Sequence, residues 1–175
     1  AKESRTYSEI GTIVTDFYYD ENDTLIKSIR TYTDGSNLTF NYTYDEKGNK
    51  IKEVETSSDL PGTMVYDYSY DENGNIIKEV RTAYDGSTSV IDFSYDKNGN
   101  KIKSIFTDSD GGASVYDYSY DENGNLVKIV FQPPAFIGEN LFHVTNNTYD
   151  ENGNITLSRI NLVMYLDNQE SSYKI

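Results

Sequence analysis

YDENGN at residues 70–75 decides how this chain folds, because the same hexamer returns at 120–125 and 149–154. Close variants stand at 44–49 (YDEKGN), 95–100 (YDKNGN) and 19–24 (YDENDT). With the Asp after the tyrosine as marker, Asp20, Asp45, Asp71, Asp96, Asp121 and Asp150 are 25, 26, 25, 25 and 29 residues apart. A period of this length means one supersecondary unit per repeat. Each unit reads as a strand, the hexamer turn, a second strand and a second turn, marked by Asp34-Gly35, Pro61-Gly62, Asp85-Gly86 or Asp110-Gly111. Gly74 supplies the left-handed conformation that a tight hairpin needs, and the Asp71 carboxylate can accept from the turn's own amides. Asp23 takes the glycine's place in the first copy and belongs to the few residue types that tolerate positive φ.

Before each turn the side chains alternate. Tyr66, Tyr68 and Tyr70 fall on one face with Asp67 and Ser69 on the other, and Tyr116, Tyr118 and Tyr120 repeat the pattern. After the turn the apolar residues stand three apart, as in Ile26 and Ile29, Ile51 and Val54, Ile77 and Val80, Ile102 and Ile105, and Val127 and Val130. Three does not fit a period of two, so we expect a β-bulge that returns both residues to the tyrosine face. The lysine between them then lies on the polar face. The reading is an all-β, antiparallel up-and-down meander of about 12–13 strands from six hairpin repeats, in a single domain, 1–175. Ile160–Leu166 reads as a long final strand. A flat sheet would leave its aromatic face in water, so a closed or flattened barrel is the preferred form and an open curled single-layer sheet the alternative.

Composition narrows the function. At 175 residues the chain is long enough to bury roughly 70% of its unfolded surface. With 29 acidic against 15 basic residues and a net charge of −14, a nucleic-acid partner or an anionic membrane surface is not expected. There is no cysteine, no apolar run of transmembrane-helix length and no sustained helical period. The chain starts at Ala1 without a basic-then-apolar leader, which fits a mature exported form.

The segment 70–96, YDENGNIIKEVRTAYDGSTSVIDFSYD, resembles the YD repeats of bacterial rearrangement-hotspot proteins: Tyr-Asp, a glycine turn, an apolar pair three apart, an Asp-Gly turn, and Tyr-Asp again. The likeness runs from about residue 17 to about residue 160. It implies β-hairpins winding into shells or barrels in exported, often carbohydrate-associated and non-catalytic modules, and extends to small exported proteins of gut bacteria with porin-like barrels. The period here is a few residues longer than usual, and no toxin or protease domain accompanies the repeats.

Calcium is one reading of DENGN, but an EF-type loop has glycine sixth and an acid twelfth, whereas here Gly74 is fourth and Thr82 twelfth. No metal, cofactor or catalytic residue is therefore assigned. The one histidine, His143, lies in an irregular connector, QPPAFIGENLFHV, and no hydrolase motif occurs. Asp16, Asp67, Asp92 and Asp117 fall on the polar face beside basic side chains, which disfavours paired catalytic carboxylates. Tyrosine has an apolar ring with a polar tip and suits sugar rings and protein partners alike. The candidate ligand-binding residues are Tyr42, Tyr68, Phe93 and Tyr118, with Phe136, Phe142 and His143 from the connector. That connector would plug a barrel end or meet a partner. The expected protein is a non-enzymatic extracellular or cell-surface module that binds a glycan or a cell-surface protein, with a purely structural scaffold or a carbohydrate-active enzyme as the alternatives.

Overall fold

The structure is a computed structural model that describes residues 1–7, 13–134, 140–166 and 169–174. These form fourteen β-strands and no helix: β1 (Lys2–Tyr7), β2 (Ile13–Tyr19), β3 (Leu25–Thr31), β4 (Asn37–Tyr44), β5 (Lys50–Ser57), β6 (Met64–Tyr70), β7 (Ile76–Thr82), β8 (Thr88–Tyr95), β9 (Lys101–Thr107), β10 (Ala113–Tyr120), β11 (Leu126–Gln132), β12 (Asn140–Tyr149), β13 (Ile155–Leu166) and β14 (Gln169–Lys174). Two compact units, Ala1–Ser89 and Val90–Ile175, divide the chain within β8. We describe β1–β7 with the first unit and β8–β14 with the second.

In each unit the strands are antiparallel neighbours in chain order, the meander expected from the turns. Two strands come beyond those expected: β1 precedes the first repeat, and β14 follows the strand that was read as the last. Asn140–His143 belong to β12, so the irregular connector is shorter than the sequence suggested.

The hexamer turn closes on itself. In the 70–75 copy, Asp71 N–H donates to the Asn75 carbonyl and Gly74 N–H to the Asp71 carbonyl. Asp71 Oδ1 accepts from Asn73 N–H at 2.9 Å and Asn75 N–H at 2.8 Å, while Oδ2 accepts from Asn75 Nδ2 at 2.9 Å. Gly74 has φ +84°, and Asp23 adopts φ 59° in the first copy, as its residue type allows.

Each hexamer is followed by a bulge. Between β6 and β7, Tyr70 pairs with Ile76 and Ser69 with Lys78, leaving Ile77 as the extra residue. The bulge stands where the apolar spacing placed it, and the lysine lies with Ser69 and Asp67 as expected. The second residue of the apolar pair, however, does not return to the tyrosine face. Val80 pairs with Asp67, Val54 with Asn41, and Ile105 with Asp92, all opposite the tyrosines. The bulge absorbs one residue only, so the following alternation carries the second apolar side chain to the polar face, and Ile26, Ile77 and Ile102 are exposed.

Closure does not occur. Among the described residues β1 pairs only with β2 and β14 only with β13, so neither unit's sheet returns on itself, and the open single-layer alternative is the form adopted. Burial agrees. Tyr68, Tyr70, Phe93, Tyr95, Tyr118 and Tyr120 are half-buried, and so are Asp67, Asp92 and Asp117 on the other face. Among the described residues Val163 is the one buried apolar side chain, while Thr15, Ser28 and Ser104 are buried polar ones. With both faces wetted, cross-strand pairs and the backbone ladder hold the sheet in place of a core.

Candidate ligand-binding face

The strand register sorts every side chain onto one of two faces. The aromatic face of the first unit carries Phe17, Phe40, Tyr42, Tyr44, Tyr66, Tyr68 and Tyr70. In the second unit it carries Ile91, Phe93, Tyr95, Phe106, Tyr116, Tyr118, Tyr120 and Phe131.

The tyrosines do two different jobs. In four of the hexamers the opening tyrosine is a staple between repeats: the Tyr44 hydroxyl donates to the Leu25 carbonyl at 2.8 Å, Tyr70 to Lys50 at 2.7 Å, Tyr120 to Lys101 at 2.9 Å and Tyr149 to Leu126 at 2.8 Å. Each acceptor is the first strand residue after the preceding hexamer, beside the bulge. Burial raises the Tyr44, Tyr70 and Tyr120 pKa values above that of an ordinary phenol, so these hydroxyls stay protonated donors at neutral pH. These rings are structural.

The tyrosines two positions earlier are available for other work, and they flank lysines. Lys50 Nζ lies 5.6 Å from the Tyr42 ring centroid and 5.1 Å from that of Tyr68. Lys101 Nζ lies 5.6 Å from Phe93 and 4.8 Å from Tyr118. Both are cation–π clamps between neighbouring repeats. Behind them sit buried serines: Ser28 Oγ is 3.0 Å from the Tyr42 hydroxyl, and Ser104 Oγ is 3.2 Å from that of Tyr118.

The clamps differ in charge. Lys50 forms an ion pair with Glu53. Burial acts against its ammonium, but the Glu53 hydrogen bond and charge outweigh that and hold its pKa above the ordinary value. Glu55 accepts from the Tyr84 hydroxyl at 2.7 Å, and desolvation together with that bond pushes Tyr84 up to about 12. Arg81 stands over Tyr66 and pairs with Glu79, while Arg30 stands over Phe40. In the second unit Ser104 takes the place that Glu53 holds beside Lys50, and no ion pair involves Lys101 among the described residues.

The candidate residues from sequence are thus partly brought together. Tyr42 and Tyr68 flank the first clamp, and Phe93 and Tyr118 the second. His143 is exposed on the second unit's aromatic face, its ring 5.7 Å from that of Phe131. Phe142 points to the opposite face, where it pairs with Val163. Phe136 lies outside the described residues. The plug reading of the connector rests on such residues, although Pro133 and Pro134 line a concavity of about 490 Å³ with Asp110, Gly111 and Ala113.

Sequence reasoning missed the lysines, and also Tyr116 and Phe131, whose rings stack at 4.5 Å, with Tyr118 6.3 Å from Tyr116 and only 14° off parallel. A signal was there: the first strand residue after successive hexamers runs Leu25, Lys50, Ile76, Lys101, Leu126, Ile155, so lysine stands at this position in the second and fourth copies.

A crystal structure of a porin-like protein from Bacteroides uniformis superposes with a TM-score of 0.48 at 11% identity, covering 98% of this chain and 91% of that one. No curated protein matches the chain. Residues 95–130, the hairpin that carries Lys101 and Tyr118, match the family model RHS Repeat.

Proposed function

We propose that this chain is an exported, non-enzymatic repeat module that binds a glycan through the aromatic face of its sheet at the cell surface. One observation carries the reading. On the second unit, Tyr116, Tyr118 and Phe131 form a half-buried row of nearly parallel or stacked rings on an open face, not the interior of a core. Such rings offer flat apolar area to the C–H face of a pyranose, with hydroxyl tips close by for its polar edge. The non-enzymatic part of the reading is supported by the ion pairs of two strand carboxylates, Asp67 with Lys52 at 3.1 Å and Asp117 with Lys103 at 3.1 Å. Export and a cell-surface location follow the family resemblance.

The test is a panel of neutral and acidic oligosaccharides titrated against tyrosine fluorescence. Saturable binding that drops at least about tenfold in Tyr116→Ala, with melting within about 2 °C of the parent, is the expected result. The hydroxyl staples favour a second reading, in which the aromatic face serves only to hold repeats together. That reading is adopted if no oligosaccharide binds, and a protein partner that alone engages the face would refute both.

A further inference from the structure

We propose that the second unit recognises an acidic saccharide, with the Lys101 ammonium receiving the carboxylate of a hexuronate whose ring lies along Tyr116 and Phe131. The inference rests on the glycan-binding reading and adds the class of sugar.

The whole chain carries −14, with acidic residues outnumbering basic ones nearly two to one. The register nevertheless puts no carboxylate on the aromatic face of β8–β13 among the described residues: Asp92 and Asp117 both face the other way. Lys101 is the sole lysine or arginine on that face of those strands. The first unit lacks this arrangement, since Glu53 sits beside Lys50 on the corresponding strand position. The carboxylate of the adjoining hexamer, Asp96, is committed to its own turn through Asn98 N–H at 2.8 Å, Asn100 N–H at 2.9 Å and Asn100 Nδ2 at 3.0 Å.

The geometry holds the ammonium in place. Phe93 and Tyr118 flank it, and the Tyr118 hydroxyl is in turn held by the buried Ser104. Aromatic faces stabilise a cation without neutralising it, so Lys101 keeps its capacity for an external anion. The Tyr116 centroid lies 6.3 Å from that of Tyr118, about one pyranose ring along the strand, with Phe131 stacked beyond it. A neutral sugar can use the rings but not the lysine. A simple inorganic anion can use the lysine but not the rings.

Isothermal titration calorimetry on the full chain, with linear trigalacturonate and its carboxyl-reduced neutral counterpart, tests this at about 0.15 M salt, where the Debye length of about 8 Å screens the net charge. Trigalacturonate should bind at least about tenfold tighter than the neutral trisaccharide. Lys101→Met should remove that preference and Lys101→Arg restore it. Lys103→Met makes the same change in net charge on the opposite face and should leave the affinity unchanged. Equal binding of both trisaccharides, or equal effects of Lys101→Met and Lys103→Met, overturns the inference while leaving the glycan-binding reading intact. If trigalacturonate fails to bind but other oligosaccharides bind and are lost in Tyr116→Ala, the inference alone falls. If nothing in the panel binds, both fall.

Discussion

Removing one phenolic oxygen, in Tyr70→Phe, isolates the contact that ties each repeat to the one before. The Tyr70 hydroxyl donates to the Lys50 carbonyl at 2.7 Å, and that carbonyl borders a bulge where the ladder is interrupted. A hydrogen bond of this kind contributes about 0.5–1.5 kcal/mol net, and the ring remains in place in the variant. About 1 kcal/mol in a chain of this length corresponds to a fall in Tm of roughly 2–4 °C. Four such bonds are described, at Tyr44, Tyr70, Tyr120 and Tyr149. The two staples within each unit lie two strands apart, roughly 10 Å, so their effects should add, and the fourfold Phe variant should lose about 4 kcal/mol. That is a large share of a typical total of about 5–15 kcal/mol. Urea unfolding followed by tyrosine fluorescence and by far-ultraviolet circular dichroism measures both variants. A loss below about 0.3 kcal/mol in Tyr70→Phe, or no further loss in the fourfold variant, would refute the staple.

Other consequences follow from the turns and the titrating groups. Gly74→Ala should cost about 1–2 kcal/mol for its positive φ alone, whereas Gly62→Ala should cost a further ~1–3 kcal/mol, because a Cβ there would meet the Tyr84 carbonyl at 2.7 Å. Equal losses on urea unfolding would contradict this. Tyr84 has a folded pKa raised to about 12, so its contribution is complete below the ordinary phenol value and is lost as pH rises through about 12. Absorbance titration should show a phenol that ionises last, near pH 12, and whose step vanishes in Tyr84→Phe; a titration curve unchanged by Tyr84→Phe would count against it. Asp45, Asp71, Asp96, Asp121 and Asp150 have pKa values lowered chiefly by their Asn side chains, so their contribution holds above the ordinary carboxylate value and is lost as pH falls through the lowered one. Melting temperature should be flat from about pH 5 to 8 and fall only below about 4, and EDTA should leave it unchanged. A rise of several degrees on adding calcium would show that the turns hold a metal.

The parts of this fold that depend on a few adjacent residues were legible in the sequence. The YDENGN turn specifies its own hydrogen bonds, Asp23 could be read as a positive-φ substitute, and the alternation of Tyr66, Tyr68 and Tyr70 fixed their shared face. The fate of Val80 was not legible, because a bulge shifts phase by one residue and the spacing alone does not say which side of it resumes the alternation. Closure was unreadable for another reason: it depends on accumulated twist and on what the end strands meet, and no single repeat encodes that. β1 and β14 lie outside the repeat and offered no pattern. At the candidate site, the aromatic positions could be listed from the alternation, but Lys101 stands next to a turn and reads as an ordinary solvated residue. Only the register shows that it shares a face with Phe93 and Tyr118 and that Asp92 and Asp117 do not.

The central claim is that the aromatic face of the second unit is a binding surface and not merely an unburied side of the sheet. Nuclear magnetic resonance mapping of the isotope-labelled full chain during titration with trigalacturonate tests it most directly. The account predicts saturable shifts at the ring protons of Tyr116, Tyr118 and Phe131 and at the Lys101 side chain, with Asp117, Val130 and Lys103 on the other face unmoved. Shifts confined to the hexamer turns, or spread equally over both faces, would contradict it.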